Sequence, residues 1–181
     1  MENWNPKNIE ILAECYANEF IAGIIASIIR KKYNINKRKV KVRHTPKLGR
    51  DEIVRRILKP RSSNSTLRLG VIDYEEGVSR TYIDKNFKLL TADHRIFIGL
   101  SYKTSALAII FDPRIEESLI AEVCPDVYHN AEKLEKVKSR EASKLLRKYQ
   151  SRIEEIMARV LSKVEINTSR NILHFQNSQT Y

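Results

Sequence analysis

The sequence predicts an α/β fold in which helices flank a mostly parallel sheet on both faces. Short apolar runs that suit buried strands alternate along the chain with amphipathic stretches that suit helices. The run from Leu67 to Ile72 is apolar almost throughout, as is typical of strands that are covered on both faces. Of 181 residues, 42% are hydrophobic and only five are glycine and five proline, which indicates a folded chain.

The first half of the chain contains two strands and two helices by pattern. Ile9–Glu14 is predicted to be a strand, and the isoleucines and Phe20 within residues 20–29 recur at the spacing of a helical face. Asn18 is predicted to cap that helix. Lys39–His44 alternates valine with basic residues, as a half-exposed strand does. Ile53–Leu58 is predicted to form a short helix.

The second half begins with Leu67–Ile72, the predicted central strand. Val78–Phe87 has no clear period and is predicted to be a helix or an irregular segment. Arg95–Leu100 and Ala106–Phe111 are apolar runs and are predicted to be the last two strands. Asp112, followed by a proline, is expected to start the next helix.

The C-terminal part is rich in charge and is predicted to be helical. We expect an α/β domain over residues 1–125, a long charged helical extension over 126–166 and a polar tail over 167–181. Five residues of the extension step by three and four and form a short apolar seam: Leu146, Tyr149, Ile153, Ile156 and Val160. This seam either packs on the chain's own domain or forms a homodimer contact.

The charge of the chain is positive and unevenly placed. The formal net charge is +11, and Arg30–Arg61 alone holds 14 Lys or Arg against two acids, a balance of +12. Such a block favours a polyanionic partner, DNA or RNA first and an anionic membrane surface second, although solubility alone would also explain it.

Two further features indicate a cytoplasmic protein that does not enter a membrane. The apolar run Phe20–Ile29 is too short to span a bilayer, and no signal peptide is indicated at the N-terminus. Cys15 and Cys124 stand far apart in apolar surroundings, which suits buried thiols in a reducing compartment.

Carboxylates follow two of the predicted strands. Asp73 and Glu75 come after the central strand, and Glu14 ends the first one. Because the carboxyl ends of parallel strands meet at one edge of a sheet, Glu14 should lie roughly 5–10 Å from the other two if the strands are neighbours. Carboxylate oxygens suit Mg²⁺ or Mn²⁺, although acids after a strand are often only a solvated turn.

The stretches ILAECYANEFIAGII, TPKLGRDE and LGVIDYEEG together resemble the TOPRIM domain of topoisomerases, primases and small or OLD-type nucleases. The resemblance covers roughly residues 9–122 and implies a Rossmann-like sheet with magnesium-dependent phosphodiester hydrolysis. It places the family's catalytic glutamate on Glu14, its loop glycine on Gly49 and its metal pair on Asp73 and Glu75. The chain differs from the family in having Cys15 after the glutamate and Glu75 as the second metal ligand.

Within this scheme three basic residues are expected to hold the phosphate backbone of DNA or RNA: Arg43, Lys47 and Arg50. Two alternatives stay open from the sequence, a non-catalytic nucleic-acid-binding protein of the same fold and a dimeric scaffold protein. The sequence has no Gly-rich phosphate loop, no nucleophile elbow and no zinc cluster, which argues against nucleotide-cofactor enzymes, serine hydrolases and zinc-dependent primases.

Overall fold

A six-stranded sheet forms the centre of the protein. The computed structural model describes residues 8–44, 50–59, 66–101, 104, 106–124, 139–167 and 172–175. The strand order is β2-β1-β3-β6-β5-β4, with the strands β1 Asn8–Ala13, β2 Val40–His44, β3 Thr66–Asp73, β4 Phe87–Asp93, β5 Ile96–Ser101 and β6 Ala106–Phe111. The strands β2, β1, β3 and β6 run parallel, whereas β5 is antiparallel to both β6 and β4. The predicted fold class is confirmed.

Helices cover both faces of this sheet. They are α1 Tyr16–Tyr33, α2 Arg50–Leu58, α3 Val78–Asn86, α4 (a π-helical segment, Glu116–Ile120, continued by Ala121–Val123), α5 Ser139–Lys148 and α6 Gln150–Ser162. A short 3₁₀ turn, Lys37–Lys39, precedes β2. The segment after Gly77, which had no clear period, is thus the helix α3.

The apolar residues form two cores, one on each side of the sheet. The larger core joins α1, α4, α5 and α6 to one sheet face, and the smaller joins α2 and α3 to the other. Seven of the eight residues of β3 are buried, since β3 lies in the middle of the sheet and is covered from both sides. The residues Leu69–Ile72 in the middle of β3 are glycine or apolar, as suits a strand that water reaches on neither face.

The prediction that Asn18 caps α1 is wrong. The cap is Cys15, whose Sγ accepts a hydrogen bond from the backbone N–H of Asn18 at 3.5 Å. Asn18 instead lies in the first turn with no exposed surface, and its side chain faces the end of β3. A tertiary contact has overridden a local capping preference.

Two predictions about the region around β6 also need correction. Arg95–Leu100 and Ala106–Phe111 correspond to β5 and β6, but a third antiparallel strand, β4, precedes them and was not predicted. The helix expected to begin at Asp112 starts after it, since α4 begins at Glu116.

The C-terminal helices pack on the rest of the chain. Leu146, Ile153, Ile156 and Val160 of the predicted seam are at most 1% exposed and belong to the same core as α1, whereas Tyr149 is 37% exposed. These four residues are therefore covered by their own chain, and the seam is not a free face for a second copy. The tail contributes β8 Ile172–Phe175, which pairs with β7 Val164–Asn167 in a separate two-stranded sheet.

The residues between the sheet domain and α5, 125–138, lie outside the described residues. Among the helices that the structure describes, none has the length and apolar character needed to cross a bilayer.

Candidate active site

Two of the predicted acids meet at the carboxyl edge of the sheet. The strands β1 and β3 are parallel neighbours in a register that pairs Ala13 with Val71. Glu14 therefore leaves β1 beside the last residues of β3, and its Oε2 accepts a hydrogen bond from the backbone N–H of Asp73 at 3.4 Å. The expected proximity of these acids is present in the structure.

Asp73 is a buried carboxylate with few favourable partners. It is 8% exposed, and its Oδ1 accepts hydrogen bonds from the backbone N–H of Ile115 at 3.2 Å and from Nδ2 of Asn18 at 3.5 Å. Burial first, and then the charges of Glu14 and Glu116, raise the pKa of Asp73 well above its ordinary value of 3.8. A cation bound beside Asp73 would offset the cost of burying its carboxylate next to these like charges.

Glu14 is placed in a similar way but has one basic neighbour. Burial raises the pKa of Glu14, and the guanidinium of Arg50 partly opposes this rise. A carboxyl group whose pKa is raised holds its proton more readily than an exposed one, and such groups are candidates for general acid or base roles.

Arg50 bridges two of the acids from the start of α2. Its Nη2 lies 2.5 Å from Oε2 of Glu75, and its Nε lies 3.5 Å from Oε2 of Glu14. The Arg50 side chain is only 11% exposed, whereas that of Glu75 is 43% exposed. Because β3 ends at Asp73, Glu75 does not follow the strand alternation, and Arg50 is the group that holds it toward Glu14.

A second arginine and two more acids reach the same edge from the segment after β6. Arg114 pairs with Oε1 of Glu117 through Nη2 at 2.5 Å, and its Nε lies 3.8 Å from Oε1 of Glu75. Glu116 raises the pKa of Asp73, and burial raises the pKa of Glu116 itself. Arg114 and Glu116 were not predicted to belong to the site. In the sequence, both residues come shortly after the apolar run that forms β6. The structure adds that β6 is the neighbour of β3.

The predicted phosphate-binding residues are placed unequally. Arg50 lies in the site, but the side chain of Arg43 is 58% exposed and pairs through Nε with Oε1 of Glu10 at 3.2 Å. Glu10 is four residues before Glu14 on β1, roughly 13 Å along the strand, so Arg43 is not brought to the carboxylates. Lys47 and Gly49 lie outside the described residues.

Cys15 lies next to Glu14 but is not an activated nucleophile. Burial raises the pKa of its thiol to about 12, so the thiolate that would attack a substrate is not formed at neutral pH. Both cysteines of the chain carry thiols.

The donor chemistry of the site fits a hard divalent cation, but the donors are not already gathered around one point. Glu14, Asp73, Glu75 and Glu116 supply carboxylate oxygens, and Oδ1 of the buried Asn18 has no hydrogen-bond partner. Nevertheless, no three His, Cys, Asp or Glu side chains within the described part of the chain are placed to share a metal ion. The guanidinium of Arg50 stands between Glu14 and Glu75 and supplies their positive partner.

Comparison with known proteins gives no further assignment. No protein-family model, no curated protein and no solved structure matches this chain.

Proposed function

We propose that this protein hydrolyses phosphodiester bonds of DNA or RNA with the help of Mg²⁺ or Mn²⁺, as a TOPRIM-like nuclease. The observation that carries the proposal is the buried Asp73, which stands beside the like charges of Glu14 and Glu116, so that the pKa of its carboxyl group is raised well above the ordinary value. Buried acids with raised pKa values next to like charges are typical of functional sites, because their burial and mutual repulsion cost stability.

The residues divide into two roles under this proposal. Asp73 and Glu75 hold the cation, while Glu14 holds or releases a proton at its Oε2 or serves as a further ligand. Arg50 and Arg114 bind the substrate phosphate, for which the planar guanidinium group is well suited. The bound cation supplies charge stabilisation at the phosphate and lowers the pKa of a bound water.

Arg50 has to change partners for this chemistry. Its guanidinium now neutralises Glu14 and Glu75, and a phosphate group that drew Arg50 away would leave both carboxylates open to a cation. Binding of the nucleic acid and of the cation would therefore favour each other, since each removes a charge penalty that the other creates.

The basic surface supports a nucleic-acid partner. Exposed cations of the block at residues 30–61 lie on α1, α2, β2 and their neighbouring turns: Lys31, Lys32, Lys37, Arg38, Lys41, Arg43, Arg55, Arg56 and Lys59. Phosphate contacts release counterions, so the affinity should fall steeply with salt. A cytoplasmic location, where nucleic acid is present and thiols stay reduced, suits this function.

The test is cleavage of labelled DNA and RNA, single-stranded and duplex, with Mg²⁺, Mn²⁺ or a chelator. We expect product only with a divalent cation, and its loss in Glu14→Gln and Glu75→Gln. Glu76→Gln is the matched control, because Glu76 is exposed and adjoins Glu75 in the same loop. Full activity in Glu14→Gln, or activity in the chelator, would overturn the proposal.

A non-catalytic nucleic-acid-binding protein is the second candidate. It is favoured by the position of Arg50, which already satisfies Glu14 and Glu75, and by the lack of a ready metal grouping in the described residues. Salt-sensitive binding of DNA or RNA without product in either cation would support this candidate over the nuclease.

A further inference from the structure

A groove of about 850 Å³ runs along α1 and is closed on its other side by α5 and α6. Its lining begins at Tyr16, two residues after Glu14, and continues along α1 to Ser27. One end of the groove therefore lies at the first turn of α1, which directly follows Glu14 and Cys15 in the chain. Its volume is in the range of pockets for small ligands, a size that suits a short piece of one strand better than a duplex.

Two aromatic rings lie at the end of the groove nearest the carboxylates. Tyr16 is 47% exposed, and its ring centroid lies 4.3 Å from that of His44 at an interplanar angle of 56°. Phe20, one turn further along α1, is half-buried and has the guanidinium of Arg147 at 5.7 Å from its ring centroid. Exposed rings beside cations are the usual means by which proteins hold unpaired bases.

The lining has two basic and two acidic side chains, and its basic side chains are exposed on α5 whereas each acid contacts another residue of the protein. Lys144 and Arg147 are exposed cations on α5. The lining also has two acids, but each has a partner in the protein. Glu19 lies 3.4 Å from Nδ1 of His44, and Glu154 accepts a hydrogen bond from Nε2 of Gln150 at 2.9 Å.

Gly23 leaves the middle of the groove open. It stands in the interior of an 18-residue helix, where glycine costs roughly 0.5–1 kcal/mol relative to alanine. A Cβ at Gly23 would meet no atom within 4 Å, so the packing of the protein does not require glycine there. A side chain at this position would begin in open space on the groove side of α1.

We propose that this groove binds a single strand of nucleic acid and leads it to the carboxylates at the end of β1 and β3. Bases stack on Tyr16 and Phe20, and phosphates contact Lys144 and Arg147. The assignment rests on the proposed function, since it names the single strand as the substrate class of that site.

Binding is measured by fluorescence anisotropy of labelled oligo(dT), oligo(U) and a duplex in a chelator, so that no cleavage interferes. We expect the single strands to bind more tightly than the duplex.

Gly23→Leu should weaken single-strand binding by about tenfold or more, as for the loss of a base stack. Thr91→Leu, an exposed position on the edge strand β4, is the matched apolar control and should bind like the native chain. Arg147→Gln is the second variant and should also weaken binding and reduce its salt dependence.

Gly23→Leu should unfold at the same temperature as the native chain or higher, because it replaces a helix glycine at a position where an added Cβ meets no atom within 4 Å. Unchanged single-strand binding in Gly23→Leu and Arg147→Gln, or tighter binding of the duplex, overturns the groove assignment.

Cleavage in Mg²⁺, measured in parallel, separates this proposal from the proposed function. If native protein and Gly23→Leu cleave single strands equally, the groove assignment fails and the nuclease stands. If Gly23→Leu loses binding but the native protein yields no product in either cation, the groove stands and the nuclease fails.

Discussion

The two ends of β3 each bury one charged side chain, and the protein treats the two charges in opposite ways. Arg68 is 7% exposed and donates Nη1 to the backbone carbonyl of Arg56 at 2.9 Å and to that of Lys59, at the C-terminal end of α2. Its Nε also lies 4.0 Å from Oε2 of Glu10. Asp73 is 8% exposed, and its charged neighbours include the like charges of Glu14 and Glu116.

This difference separates a structural charge from a candidate functional one. The carbonyl groups at a helix end carry partial negative charge and need donors, so Arg68 stabilises α2 while its own charge is compensated. Asp73 has two N–H donors but is destabilised by burial and by the neighbouring acids. Removal of one partner from a compensated buried charge is strongly destabilising, whereas a buried charge with like neighbours is a candidate for a functional role.

The largest difference between the two ends should appear in catalysis. Asp73→Asn keeps the shape of the side chain but removes the charge that would hold a cation, which contributes several kcal/mol of transition-state stabilisation. We therefore expect the rate of Mg²⁺-dependent cleavage to fall by about 10³ or more. Arg68→Met should keep the rate per folded molecule. Equal rates for Asp73→Asn and the native protein would contradict the assignment.

The next largest effect should be on the free energy of unfolding, which we expect Arg68→Met to lower. Arg68→Met leaves carbonyl groups of α2 without their donor and should lower the free energy of unfolding by about 2–4 kcal/mol in urea denaturation. Arg56→Met is the matched control, because the Arg56 side chain is exposed and pairs with Glu52 at the surface at 3.1 Å. We expect Arg56→Met to lower the free energy of unfolding by no more than about 0.5 kcal/mol. Equal losses in both variants would contradict a structural role for Arg68.

The sequence was sufficient to predict one half of the site and not the other. Glu14 and Asp73 each follow an apolar run, and the general rule for parallel strands brings such positions together. Arg114 and Glu116 come from the segment after β6, and nothing local in the sequence says that β6 is the neighbour of β3. Strand order is a property of the whole chain, so this half needed the structure.

Other failures have local physical reasons. The strand β4 was missed because its residues mix apolar and polar side chains: Phe87 is buried, but Lys88 and Thr91 are exposed, as suits an edge strand. Asn18 is a favoured capping residue, yet its amide is needed beside Asp73, and the weaker acceptor Cys15 caps α1 instead. The apolar seam of α5 and α6 correctly indicated a buried face, but its partner is α1.

A smaller effect, on cation affinity, is expected from substitution of Arg50. This effect distinguishes Arg50, which contacts the carboxylates, from the structural Arg68. Arg50→Gln removes the positive partner of Glu14 and Glu75, so the affinity for Mg²⁺ or Mn²⁺ should rise by several-fold while cleavage falls. The affinity is read from the rise in melting temperature with cation concentration. Arg55→Gln, an exposed change on the same helix, serves as the control. A lower cation affinity in Arg50→Gln would show that Arg50 does not compete with the cation.

The smallest expected effect is the pH dependence of stability without metal. The pKa of Asp73 is higher in the folded chain than its ordinary value of 3.8. At pH values between 3.8 and the raised pKa, the folded state therefore binds more protons than the unfolded state. The contribution of Asp73 to stability therefore falls through this window and stays low above it. The melting temperature of Asp73→Asn should exceed that of the native protein at neutral pH, and the gap should close as pH falls toward 3.8. A gap independent of pH would contradict the raised pKa.

The most direct measurement is Mn²⁺ binding, followed by calorimetry or electron paramagnetic resonance without any nucleic acid. We expect the native protein and Arg68→Met to bind Mn²⁺ alike, and Asp73→Asn to bind it at least about tenfold more weakly. Binding that is equal in Asp73→Asn and the native protein, or absent from both, would contradict a cation site at the carboxyl end of β3.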